Sequence, residues 1–196
     1  MIPVEEVGTL SVDICGKKYM YLNLPKNASS SIKLALDGSW CYHTIMSDSD
    51  PILNEVTNFI VVLRDPLDRW ISATVQHFEA NRGEIIDPNN TLFMDFIFTK
   101  IQFEMHSVRQ VDYLSLIKNF AERCVYFELN NNFTSNINSY LGSIGVNEVV
   151  THIDNVSAPT KDTVLVKFIK AHPNYKQKIV DYYKADYDLI NSVVFI

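Results

Sequence analysis

Two short stretches hold most of the residues in this chain that could do chemistry. The first is Pro25-Lys26-Asn27-Ala28-Ser29-Ser30-Ser31, a lysine followed by an amide, a small residue and three hydroxyls. Where such a stretch leads from a strand into a helix, backbone N–H groups and the positive helix end converge on one point. Lys26 adds a full charge and Ser29, Ser30 and Ser31 add hydroxyl donors, which suits a phosphate or sulfate group. The plainer alternative is a serine-rich helix cap beside a solvated lysine. The order differs from GxxxxGK[ST], because the lysine comes first and the loop has no glycine.

The second stretch is Leu63-Arg64-Asp65-Pro66-Leu67-Asp68-Arg69-Trp70-Ile71-Ser72. Arg64 follows the apolar run Phe59-Ile60-Val61-Val62-Leu63, at the strand end where open α/β sheets hold their ligands. Ser72 falls about two turns into the helix expected after Pro66, where its hydroxyl could face the Arg64 guanidinium. A guanidinium with a hydroxyl is a sound phosphate receptor. The plainer alternative pairs Arg64 with Asp65 or Asp68.

Taken together, the two stretches resemble the sulfotransferases that use 3′-phosphoadenosine 5′-phosphosulfate (PAPS). Residues 25–31 are similar to their 5′-phosphosulfate loop, P-K-[ST]-[GA]-[ST]-[ST]. Arg64-Asp65-Pro66-x-x-Arg69-x-x-Ser72 is similar to their 3′-phosphate motif. The likeness is greatest to the carbohydrate type, including heparan sulfate 2-O-sulfotransferase. Two looser similarities extend it from about residue 19 to 190. His106, Gln110, Tyr113 and Leu114 fit H-x-x-x-Q-x-x-Y-L. His152, Asn155 and Ser157, followed by Tyr183, Asp186 and Tyr187, resemble the C-terminal pattern. The chain departs at Asn27, where threonine or serine is usual. It is also short for the family and lacks the N-terminal anchor of Golgi members, which leaves the acceptor class more open than the donor.

The resemblance implies a single sulfotransferase-like domain over residues 1–196, with a P-loop-like three-layer α/β fold. It implies sulfuryl transfer from PAPS to a hydroxyl acceptor, with carbohydrate the class suggested, and no metal. Lys26 would contact the 5′-phosphate and bridging oxygen, while the amides and hydroxyls of Asn27, Ala28, Ser29, Ser30 and Ser31 cradle that phosphate. Arg64 and Ser72 would grip the 3′-phosphate. For the base, His43 is favoured by position, upstream of the 3′-phosphate strand as in the 2-O-sulfotransferase type. His106 is the runner-up, and His77 reads as helix surface. Imidazole titrates near neutrality and suits this role. Two other classes stay open: a P-loop kinase-like enzyme using ATP, and a non-catalytic nucleotide-binding protein on the same fold.

The elements that must position these residues follow from pattern. Residues 10–14 and 19–24 alternate about a Cys15-Gly16-Lys17 turn, as a hairpin does. The run 59–63 has no polar alternation and reads as a strand buried on both faces, and 124–127 reads as another strand. Helices are expected at 32–36 ending at Gly38, from Pro66 through Phe78, near 91–103, 108–120 and 132–141, and at 174–190. Strands alternating with helices imply an α/β fold with a mainly parallel central sheet flanked by helices.

Composition bounds the rest. With 196 residues the chain fits one domain at roughly 100–200 residues each. Its formal charge of −6 argues against binding nucleic acid by bulk charge, so an anionic ligand needs a local cluster of cations. No apolar run is long enough for a membrane span and the N-terminus is unlike a signal peptide, so a cytoplasmic protein is expected. The three cysteines, Cys15, Cys41 and Cys124, lack metal-site spacing and are expected as buried reduced thiols.

Overall fold

A computed structural model describes residues 7–36, 39–80, 82–102, 105–151 and 163–196. Gly38 and the segment containing His152, Asn155 and Ser157 lie outside the described residues. Among the described residues the strands are β1 (Val7–Ile14), β2 (Lys17–Leu22), β3 (Cys41–Ile45), β4 (Val56–Leu63) and β5 (Cys124–Glu128). The helices are α1 (Ser29–Leu36), α2 (Ile52–Glu55), α3 (Pro66–Val75), α4 (Thr91–Thr99), α5 (Gln110–Leu114), α6 (Phe133–Ser143), α7 (Val164–Ala171), α8 (Pro173–Tyr182) and α9 (Lys184–Ser192).

The hairpin forms as its turn requires. Cys15 and Gly16 take φ values of 50° and 76°, the pair of positive angles that a tight two-residue hairpin turn needs. β2, β4 and β5 then run parallel to one another. The sheet order is β3-β1-β2-β4-β5, and β1 pairs antiparallel with both of its neighbours. The sheet is therefore mixed, not mainly parallel. A two-residue turn can only join antiparallel strands, and Cys41–Ile45 extends the sheet as an edge strand where no strand was expected.

The alternation of β4 shows how it positions its end. Ile60 and Val62 face a core built with α1 and α6, while Phe59, Val61 and Leu63 face a second core with Leu53, Tyr113 and Ile117. Both faces of the sheet are thus covered by helices, and the strand end delivers Arg64 at the rim. A third apolar cluster joins α3 to α4, α7 and α8 around Trp70, Phe98, Ile169 and Ile179. α3 begins with Asp65 as N-cap, its carboxylate accepting from Asp68 N at 2.9 Å, and with Pro66 at the first turn. It runs into a π-helical stretch, Gln76–Ala80, as far as the expected helix reaches.

Several expected boundaries move. The helix expected over 108–120 is a short α5 followed by a 3₁₀ stretch, Ser115–Arg123, broken at Ile117 and Phe120. The C-terminal helix is two, divided at Tyr183, and α7 had no counterpart in the pattern reading. The thiols are not buried as expected: Cys15 sits in the exposed hairpin turn, Cys41 starts the exposed edge strand, and Cys124 is half-buried. Among the described residues no helix is long and apolar enough to cross a membrane.

Candidate functional site

The chain leaves β2 through a loop whose backbone is unusual for its residues. Lys26 and Ala28 take φ values of 67° and 59°, the left-handed region that non-glycine residues seldom adopt. The loop is held there from below. Asn27 is fully buried, and its Nδ2 donates to Val62 O at 2.7 Å and to Gln110 Oε1 at 2.6 Å. Arg69 Nε donates to Pro25 O at 3.0 Å, and Arg64 Nη1 donates to Lys26 O at 3.2 Å. Ser29 and Ser30 then open α1, whose first-turn amides have no acceptor within the helix.

Arg64 emerges from the end of β4 with only 7% of its surface exposed. Burial is the main influence on its guanidinium and pushes its pKa down, with Asp68 opposing that shift and Arg69 adding to it. Its backbone is clamped on both sides by one side chain: Gln110 Oε1 accepts from Arg64 N at 3.0 Å and Gln110 Nε2 donates to Arg64 O at 3.0 Å.

Loop and strand end meet at a cavity of about 160 Å³ lined by Lys26, Ala28, Ser29, Ser30, Arg64, Gln76 and His106. The fold therefore gathers Lys26, Ala28, Ser29, Ser30 and Arg64 from the residues singled out in the sequence. The others lie elsewhere. Asn27 turns its side chain into the protein. Ser31 and Ser72 are buried and do not line the cavity, Ser72 standing one turn before Gln76 on α3. His43 is half-buried on β3, opposite Thr9, which in turn pairs with Leu22. Two strand spacings, about 10 Å, separate its backbone from β2. Its side chain shares the sheet face of Ile45, the face away from α1.

His106 reaches the cavity on a short 3₁₀ turn, Met105–Ser107, and that turn is pinned at three carbonyls. Tyr113 Oη donates to Met105 O at 2.6 Å, Tyr183 Oη donates to Ser107 O, and Arg69 Nη1 donates to Val108 O at 2.6 Å. Behind the turn, the buried Asp186 carboxylate accepts from Gln110 N and Val111 N, both at 2.9 Å. Burial raises the Asp186 pKa, while these two amides and the charge of Arg69 pull it back.

Sequence reasoning did not assign roles to Gln76, Arg69, Gln110 or Asp186. Three of the four stood in the motif patterns already: Arg69 in the second stretch, Gln110 and Asp186 in the two looser similarities. Arg69 bonds the loop at Pro25 O and the chain after the His106 turn at Val108 O. Gln110 bonds Asn27 and the Arg64 backbone, and Asp186 holds the backbone of Gln110 and Val111. Gln76 had no signal beyond its place one turn after Ser72.

Chemically, the cavity combines two cations, two hydroxyls, first-turn amides and an imidazole, with the third cation Arg69 directly behind. No carboxylate lines it among the described residues. Such a lining offers an anion several charged and neutral donors at once, with an imidazole at its edge. Searches against models of known protein families, curated proteins and solved structures find no match to this chain.

Proposed function

We propose that this chain is a sulfotransferase of P-loop-like, three-layer type that moves the sulfuryl group of PAPS to a hydroxyl acceptor, with carbohydrate the favoured acceptor class. The observation that carries the reading is the convergence of Lys26, Ser29, Ser30 and Arg64 on one cavity that also holds His106. The residues bear the two halves of a donor with phosphates at both the 5′ and 3′ positions. Cations without carboxylates suit such a donor better than a nucleotide carried as its Mg²⁺ complex, whose metal commonly takes one or two carboxylate ligands from the protein.

In this reading the acceptor oxygen attacks sulfur as the bond from sulfur to the bridging oxygen breaks, and that electron pair stays on the 5′-phosphate. Lys26 and the α1 amides neutralise the charge that grows there. The proton of the acceptor hydroxyl passes to an imidazole. His106 is the histidine proposed for this step because it lines the cavity and its turn is pinned at three carbonyls. His43, two strands from the loop, is the alternative. Arg64 contributes the 3′-phosphate contact, while Ser72, buried on α3, does not line the cavity.

The test compares adenosine 3′,5′-bisphosphate, AMP and ATP–Mg²⁺ in thermal unfolding. The bisphosphate at a hundred times its Kd should stabilise the protein by about 2.7 kcal/mol, and AMP at equal concentration far less. Arg64→Ala should remove most of that difference. Equal shifts from AMP and the bisphosphate would sink the proposal. On an acceptor panel, His106→Ala should abolish turnover and His43→Ala should leave most of it; the reverse result reassigns the base to His43.

A further inference from the structure

Gln110 is fully buried, yet both polar groups of its side chain are used, and its partners come from the loop and from the residue that follows β4. Its Oε1 accepts from Asn27 Nδ2 and from Arg64 N, and its Nε2 donates to Arg64 O. Its own backbone N–H is held by Asp186, 76 residues further along the chain. A neutral amide is the side chain that can do this. It supplies an acceptor and a donor in one plane, so it can span both the N–H and the C=O of a single residue.

We propose that Gln110 is a positioning residue that sets the Lys26–Ala28 loop and the Arg64 guanidinium in register with each other, and that Asp186 fixes Gln110 in turn. This inference rests on the reading of the cavity as a receptor for a donor with two phosphates. The argument is geometric. Arg64 leaves β4 where the strand's ladder ends, so beyond Leu63 the sheet no longer fixes its backbone. Gln110 supplies the two bonds that a neighbouring strand would otherwise give. The same oxygen that holds Arg64 N also holds Asn27, so a shift of one is felt by the other through a single atom. Neither Gln110 nor Asp186 lines the cavity. Their effect on an anion must therefore pass through Arg64 and the loop.

A double-mutant cycle on adenosine 3′,5′-bisphosphate affinity, measured by calorimetry on the full chain, separates this from a structural role. Gln110→Met keeps side-chain length and removes all three side-chain hydrogen bonds. It should weaken the bisphosphate about tenfold in the wild-type background, the size expected for loosening charge-assisted contacts. In an Arg64→Ala background the same substitution should cost no more than about threefold, because part of its route is already gone. If Gln110→Met does not fold, Asp186→Asn, one hydrogen bond further from Arg64, takes its place in the cycle with the same expected pattern. Wild-type binding with Gln110→Met within twofold of it, or an equal loss in both backgrounds, overturns the positioning role and leaves the proposed function standing. Absence of bisphosphate binding by the wild type overturns the reading of the cavity, and the positioning role with it.

Discussion

Replacing Asn27 by alanine tests how the Lys26–Ala28 loop is held in its unusual conformation. Left-handed backbone costs a non-glycine residue roughly 1–2 kcal/mol, so Lys26 and Ala28 together store about 2–4 kcal/mol. Against this stand the two bonds given by Asn27 Nδ2, to Val62 O at 2.7 Å and to Gln110 Oε1 at 2.6 Å. Removing the donor from a buried acceptor costs about 1–3 kcal/mol. Gln110 Oε1 keeps a second donor in Arg64 N, so its share is about 1 kcal/mol. Removing Asn27 Oδ1, which is buried without a partner among the described residues, returns about 1 kcal/mol, so the total loss comes to about 1–3 kcal/mol. That is comparable to the stored strain, so without Asn27 the loop relaxes and its amides lose their common focus. Urea unfolding of Asn27→Ala should show the midpoint fall with an unchanged slope, and calorimetry should show sulfate affinity lost. A stability change under about 0.5 kcal/mol with sulfate affinity retained would refute this account. It would mean that the bonds from Arg69 to Pro25 O and from Arg64 to Lys26 O hold the loop unaided.

Two further substitutions read single terms of the same physics. Ala28→Gly relieves left-handed strain worth about 1–2 kcal/mol and gives up a buried methyl worth about 0.8 kcal/mol, so a net gain of up to about 1 kcal/mol is expected in urea unfolding; a clear loss would show that the strain is not there. Tyr21 is fully buried, and its Oη has no hydrogen-bond partner among the described residues. Tyr21→Phe should therefore raise stability by about 1 kcal/mol at pH 7, and a fall would contradict the unpaired hydroxyl. Burial raises the Tyr21 pKa well above that of the unfolded chain. Above pH 10 the native state then holds more protons than the unfolded one. The group's contribution is complete below pH 10 and is lost at about 1.4 kcal/mol per pH unit above it. Tyr21→Phe should flatten alkaline unfolding by that slope; an unchanged slope would argue against the shift.

What the sequence made legible is what local pattern controls. The Cys15-Gly16 turn announced the hairpin, the apolar run at 59–63 announced a strand covered on both faces, and Pro66 marked the start of α3. Lys26, Ser29, Ser30 and Arg64 could be picked out because strand-to-helix junctions put such residues at a sheet rim. β3 was missed because an edge strand is half-exposed and needs no apolar run: of its five residues only Ile45 is buried. Missing it left the sheet looking more parallel than it is. Gln110 and Asp186 could be quoted as pattern positions but given no task, since the Gln110 contacts lie 83 and 46 residues away and those of Asp186 lie 76 and 75 residues away. His43 was favoured by its place in the order of the chain. The antiparallel pairing of β3 with β1 sets it two strands from the loop, while the pinned turn carries His106 to the cavity.

Tyr183, between α8 and α9, and Asp186 in α9 give the site a particular place in time. Residues 7–128 contain every strand of the sheet, so the framework can pair and collapse as soon as β5 has left the ribosome. The loop and Arg64 are by then present, but Gln110 has no Asp186 to hold it and the His106 turn has no Tyr183. The supports of the cavity are therefore completed late, when α9 docks, and a nascent or truncated chain that stops before it would carry a formed sheet with an unassembled cavity. Closing so long a loop adds little to its entropic cost, since that cost grows only with the logarithm of length. The delay reflects chain order, and a fully braced cavity reports that residues 183–186 have docked.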